Sequence, residues 1–123
     1  MSKEDAYEGP ERRSAHRVRL NLPCRWEGRR ESAAATVTDL STTGAFVLSE
    51  DLVETDELVR LELLLPGGGG ITLWGHVIYK AEGIGFGLRF APYQQENDRR
   101  KLGLLMKAEM RRAAQKKKKH IPF

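Results

Sequence analysis

The 123 residues contain a single cysteine, Cys24, which rules out an internal disulfide because one thiol has no partner. Without a second cysteine or a nearby histidine pair there is no zinc-site spacing either, and Cys24 reads as a buried core thiol. Long apolar runs are also missing. The longest centres on Leu63, Leu64 and Leu65, far short of the roughly 20 residues that a membrane-spanning helix needs. The charged start at Lys3, Glu4 and Asp5 is not a secretory leader, so the expected product is soluble and cytoplasmic, with no membrane span. No serine lies in a nucleophile elbow with histidine and aspartate in order, and no His/Cys/Asp/Glu group has metal spacing; an enzyme is not expected. The run from Gly67 to Gly70 has no following Lys-Ser or Lys-Thr, which excludes a phosphate loop and leaves a flexible hairpin.

What is there is charge, strongly segregated. The net value of +4 conceals a lead-in of one lysine against four acids over residues 1–11, then seven arginines against Glu27 over 12–30. Residues 31–98 hold three basic side chains against eleven acids, and residues 99–123 hold ten against Glu109. Two basic zones, one near each end, are suited to phosphate or an acidic protein surface. The length suits one packed domain. The expected organisation is a flexible acidic lead-in over 1–11, a domain over 12–115 and a basic tail over 116–123.

From Arg19 the sequence alternates strictly. Leu20, Leu22, Cys24 and Trp26 fall on one face and Arg19, Asn21, Pro23 and Arg25 on the other, the period of a half-buried strand. Pro23 places that strand at an edge or at a bulge. Further strands are expected over 34–39, 44–49, 58–65, 71–80 and 84–90, separated by turn residues, and this spacing favours a sandwich or barrel. In the last, Ile84, Phe86, Leu88 and Phe90 form the core face, with Gly85 and Gly87 opposite marking close backbone approach. Trp26 and Trp74 read as barrel or helix packing. After Pro92, the recurrence of Leu102, Leu105, Met106, Met110 and Ala113 predicts one amphipathic helix over 94–115 packed on the sheet. The pairs Glu50-Asp51 and Asp56-Glu57 read as a solvated loop.

Two segments carry chemistry. Arg12-Arg13-Ser14-Ala15-His16-Arg17 is a dense cationic stretch just before the first strand. Arginine's planar fork can hold a phosphate bidentately, grip the O6 and N7 edge of guanine, or stack on a purine. Asp39-Leu40-Ser41-Thr42-Thr43-Gly44, between two strands, places a carboxylate acceptor, hydroxyls and a turn-permitting glycine together. An aspartate can accept from the N1 and N2 donors of guanine, which a phosphate-only site would not need.

These residues resemble the signature of the PilZ domain family, RxxxR followed some twenty to thirty residues later by [DN]xSxxG. Arg13 and Arg17 match the first half, with Arg12 as a preceding arginine; Asp39, Ser41 and Gly44 match the second. Gly75-His76-Val77-Ile78-Tyr79 is similar to the family's GxVxx-aromatic strand, and the run from Gly83 to Phe90 to its last barrel strand. The resemblance implies a mainly β fold: a six-stranded antiparallel barrel with one C-terminal amphipathic helix. It also implies a bacterial receptor for cyclic di-GMP, frequently bound as two stacked, intercalated molecules. In that reading Arg12, Arg13 and Arg17 meet phosphates and guanine edges, Asp39 and Ser41 read a guanine, and Gly44 keeps the turn open. Thr43, Gly75 and Tyr79 are weaker candidates. No cofactor beyond the ligand is implied. The output passes to an unidentified effector protein in motility, polysaccharide synthesis or a related process.

Two other readings stand beside it. One keeps the fold as a protein adaptor without the ligand, although such adaptors typically lack the arginines or the aspartate. The other is a barrel for RNA or single-stranded nucleic acid using the two basic zones. It is disfavoured, because such barrels need aromatic stacking platforms and the two Trp, three Tyr and four Phe mostly occupy core-like positions.

Overall fold

The computed structural model describes residues 16–50 and 53–119, the last four by their backbone. Six strands, β1 (Val18–Glu27), β2 (Ser32–Leu40), β3 (Gly44–Leu48), β4 (Leu58–Leu64), β5 (Gly70–Ala81) and β6 (Gly85–Phe90), precede one helix, α1 (Glu96–Lys119). They close into a barrel in the order β1-β2-β3-β6-β5-β4, with every pairing antiparallel. Mainly β architecture and a C-terminal helix are as the sequence predicts.

Alternation builds the core. Leu22, Cys24 and Trp26 of β1, Val59, Leu61 and Leu63 of β4, and Ile71, Leu73 and Val77 of β5 all point inward and are buried. Trp26 meets Phe86 edge to face, with ring centroids 5.3 Å apart, and its Nε1 donates to Ser49 Oγ at 3.1 Å. This geometry suits both ring quadrupoles and pairs the buried indole donor. Burial also pushes the Cys24 thiol up to about 11, so the thiol is inert in the folded protein. Pro23 stands one residue outside the β4 ladder, which begins at Cys24, where a missing N–H costs nothing on that side. The register also shifts between Arg19 and Leu22.

β5 outruns β6: its ladder to β6 begins at Gly75, which leaves backbone groups of residues 70–74 to be satisfied otherwise. Side chains of the helical end do this. Gln94 both accepts from Trp74 N at 3.0 Å and donates to Trp74 O at 2.8 Å, Asp98 Oδ1 accepts from Thr72 N at 3.0 Å, and Lys101 Nζ donates to Gly70 O at 3.2 Å. Leu102 and Met106 then seal the core, with Leu105 half-buried beside them. Glu96 and Asp98 in the first turn complement the helix dipole.

Four expectations are corrected. The helix starts at Glu96 because Gln94 is engaged with Trp74, and it runs on to Lys119; Met110 and Ala113, expected in the packed stripe, are exposed. Ile84, expected in the core face of β6, is 55% exposed. It belongs to the β5–β6 turn, where its N–H binds Ala81 O and its carbonyl accepts from Ser49 N. Trp74 is exposed on the outer face of β5, opposite the inward Leu73.

Glu57 is no solvated side chain, since it is buried. Its carboxylate accepts from Glu54 N at 2.8 Å and Arg29 N at 2.6 Å, joining the β1–β2 turn to the β3–β4 loop. Asp51 lies outside the described residues, while Glu50 and Asp56 are exposed as expected. Replacing Glu57 with alanine strands two backbone donors, and the expected cost is about 3 kcal/mol, read from the midpoint of urea unfolding. A loss below about 0.5 kcal/mol would contradict this role.

Candidate functional site

The antiparallel order gathers the start of β1, the β2–β3 loop and the exit from β6 at one end of the barrel, because Val18 pairs with Leu40 and Gly44 with Arg89. The loop is shaped by Ser41. Its backbone N–H donates to Gly44 O at 2.9 Å, and its Oγ accepts from Thr43 N and Gly44 N, each at 3.1 Å. The hydroxyl also meets Thr43 Oγ1 at 3.2 Å and Gly44 O at 3.4 Å. A buried serine with both lone pairs engaged locally is a loop former. Thr43 O accepts from Phe90 N at 2.8 Å, tying the loop to the end of β6.

Gly44 serves the site by close approach. A Cβ there would overlap the Leu88 carbonyl of the paired strand, so glycine lets β3 and β6 close the barrel at this point. Its φ is not in the left-handed region, so the turn itself does not demand glycine. Asp39 is half-buried beside the loop. Its Oδ2 accepts from Thr38 Oγ1 at 3.2 Å, and its Oδ1 lies 3.5 Å from Arg19 Nε, an ion pair across the β1–β2 ladder. With the Arg19 side chain 88% exposed, that pair orients the carboxylate more than it stabilises the fold.

These elements surround an open cleft of about 1060 Å³. Arg17, Asp39, Ser41, Thr43, Gly44 and Tyr79 all line it. Phe46 packs on Tyr79 at 6.1 Å in a stacked arrangement, and the Tyr79 ring covers Gly87, where any side chain would collide with it. The result is an apolar and aromatic floor. Gly75 is not in the lining; it sits where β5 meets the Arg89 carbonyl and Phe90 backbone. Arg12 and Arg13 lie outside the described residues.

Sequence reasoning missed two cations. Arg89 of β6 and Arg99 of α1 also line the cleft, so three arginines face one carboxylate among the described residues. Arg89 was legible in principle, since it alternates with the buried Leu88 and Phe90 and so must point outward. Arg99 lies three residues before the buried Leu102, on the same helix face, but knowing that this face borders the cleft requires the fold. The chemistry offered is a concave, arginine-walled site with an aromatic floor and one oriented acceptor, at the upper end of ligand-site volumes. That combination suits a polyanion bearing planar bases.

A PilZ domain family model matches residues 11–108. Among solved structures, the PilZ domain of YcgR from Escherichia coli with c-di-GMP is 16% identical, with a TM-score of 0.68, over 88% of this chain and 98% of that one. The Bacillus subtilis inhibitor of motility MotI/DgrA is 21% identical with a TM-score of 0.67; 85% of this chain is covered, but only 52% of that one, so this chain spans about half its length. The PilZ domain of CeSA from a cellulose-synthesizing bacterium is 18% identical with a TM-score of 0.58, over 73% and 93% of the two chains. At such identities the likeness is one of fold. No curated protein matches the chain.

Proposed function

The chain belongs to the PilZ domain family, and from that premise we propose that it is a cytoplasmic, non-catalytic receptor for cyclic di-GMP that signals to a partner protein. The observation that carries this reading is the convergence of Arg17, Asp39 and the Ser41 loop on one large cleft. Asp39 is the acceptor for guanine N1 and N2. Arg12, Arg13 and Arg17 take phosphates and guanine edges, and Tyr79, with Phe46 behind it, offers a stacking face. Ser41, Thr43 and Gly44 act by holding the loop in shape.

The switch follows from charge. Arg12, Arg13, Arg17 and Arg19 are close in sequence and repel one another, and the ligand's two phosphates remove that repulsion. Binding therefore stabilises a closed position of the arginine arm, and only in the bound state does the rearranged surface become legible to an effector. Motility and polysaccharide synthesis are the outputs in view.

Thermal unfolding in the presence of nucleotides tests the assignment. A ligand at a hundred times its Kd stabilises by about 2.7 kcal/mol, so cyclic di-GMP is expected to raise the Tm, while GMP and cyclic di-AMP at the same concentration leave it in place. In Asp39→Ala the preference for the guanine ligand over cyclic di-AMP should shrink. No shift with millimolar cyclic di-GMP would refute the receptor reading.

A further inference from the structure

We propose that the C-terminal helix supplies part of the ligand site through Arg99, whose guanidinium engages the anionic backbone of the bound dinucleotide. This inference rests on the cyclic di-GMP reading above and extends it to an element outside both halves of the arginine and aspartate signature.

Three observations carry it. Arg99 and Leu102, one helical turn apart, form the wall of the cleft contributed by α1, together with Pro92 and Gln94 from the preceding connector. Second, the backbone at Arg99 is held in place. Asp98 on one side binds Thr72 N and Lys101 on the other binds Gly70 O, so the side chain projects from a fixed position, as a preorganised ligand contact requires. Third, the guanidinium is poorly used in the free protein. Arg99 is exposed, and among the described residues its side-chain hydrogen bond is one, to the neutral carbonyl of Pro92 at 3.2 Å, although the fork carries five donors. A phosphate is a stronger partner, since charge-assisted bonds are about twice as strong as neutral ones.

The charge agrees in sign. Arg17, Arg89 and Arg99 against Asp39 leave the described lining net positive, as an anionic ligand requires. On binding, Arg99 exchanges the Pro92 carbonyl for a phosphate oxygen. The helix and the connector that binds the edge of β5 through Gln94 then sense occupancy directly.

Neighbouring Arg100 provides the internal control. It is exposed on the same helix turn, bonds Asn97 Oδ1 at 2.6 Å and does not line the cleft. Titration of cyclic di-GMP into wild type, Arg99→Ala, Arg99→Lys and Arg100→Ala at two salt concentrations is the test. Arg99→Ala is expected to weaken binding about tenfold and to flatten its salt dependence, with an unchanged Tm. Arg99→Lys should recover part of the loss, and Arg100→Ala should stay within twofold of wild type. If wild type binds and Arg99→Ala binds equally well, or if Arg100→Ala is weakened as much, the helix contact is wrong while the receptor reading survives. If wild type does not bind, both fall together.

Discussion

Replacing Arg13 and Arg17 together with alanine is expected to lower affinity for cyclic di-GMP about a hundredfold or more. In the proposed receptor each arginine makes a charge-assisted contact, and its truncation would leave a ligand phosphate facing solvent. Arg17 is exposed at the cleft, just before β1, so its removal subtracts binding without loosening the core. The double variant should therefore unfold at the wild-type temperature while its binding isotherm collapses. A Tm lowered in step with affinity would mean that the arm supports the fold rather than the ligand. Affinity within a few-fold of wild type would remove the basis for assigning the motif to the ligand.

Trp26→Ala is expected to produce the largest effect on stability, about 3 to 5 kcal/mol. The ring is 1% exposed, packs edge-on against Phe86 and donates to Ser49 across the interior. Its loss leaves a cavity where β1 meets both β2 and β4, with Trp26 paired to Ala33 and Leu61. A domain of this size has roughly 5 to 15 kcal/mol in all, so the variant should unfold at much lower denaturant. Trp26→Phe, which keeps an aromatic body but loses the Nε1 donor, should recover most of that loss. An alanine variant within about 1 kcal/mol of wild type would show that the barrel interior does not depend on this contact.

The strands were legible because each is governed by its own two-residue period. Leu22, Cys24 and Trp26 must share a face whatever they pack against, and the expected strand limits differ from the observed ones by at most two residues at either end. Closure was less so, because it depends on registers such as Gly44 opposite Arg89, set between segments distant in sequence. The failures follow the same line. Ile84 continues the alternation of β6 on paper, yet the turn consumes it. Glu57 reads as solvent-facing until the Arg29 amide, 28 residues away, is brought against it. Trp74 is an aromatic residue in a strand, but its parity in β5 points it outward. Ser41 and Gly44 were picked out by motif, while their physical roles, a buried hydroxyl closing a loop and a missing Cβ admitting a carbonyl, emerge only from the contacts.

The site was legible in its signature and not in its extent. Arg17, Asp39, Ser41 and Gly44 meet at one cleft, and Arg89 and Arg99 join them from elements whose local patterns mention no ligand.

In the proposed receptor the arginine arm and the Asp39 loop together form a cyclic di-GMP site. Isothermal titration of cyclic di-GMP into the purified protein, run beside the Arg13→Ala/Arg17→Ala variant, tests it most directly. Saturable low-micromolar or tighter binding that vanishes in the variant is the predicted result. Absence of binding heat and of any binding by an independent equilibrium method would contradict it, leaving a PilZ barrel that acts on protein partners alone.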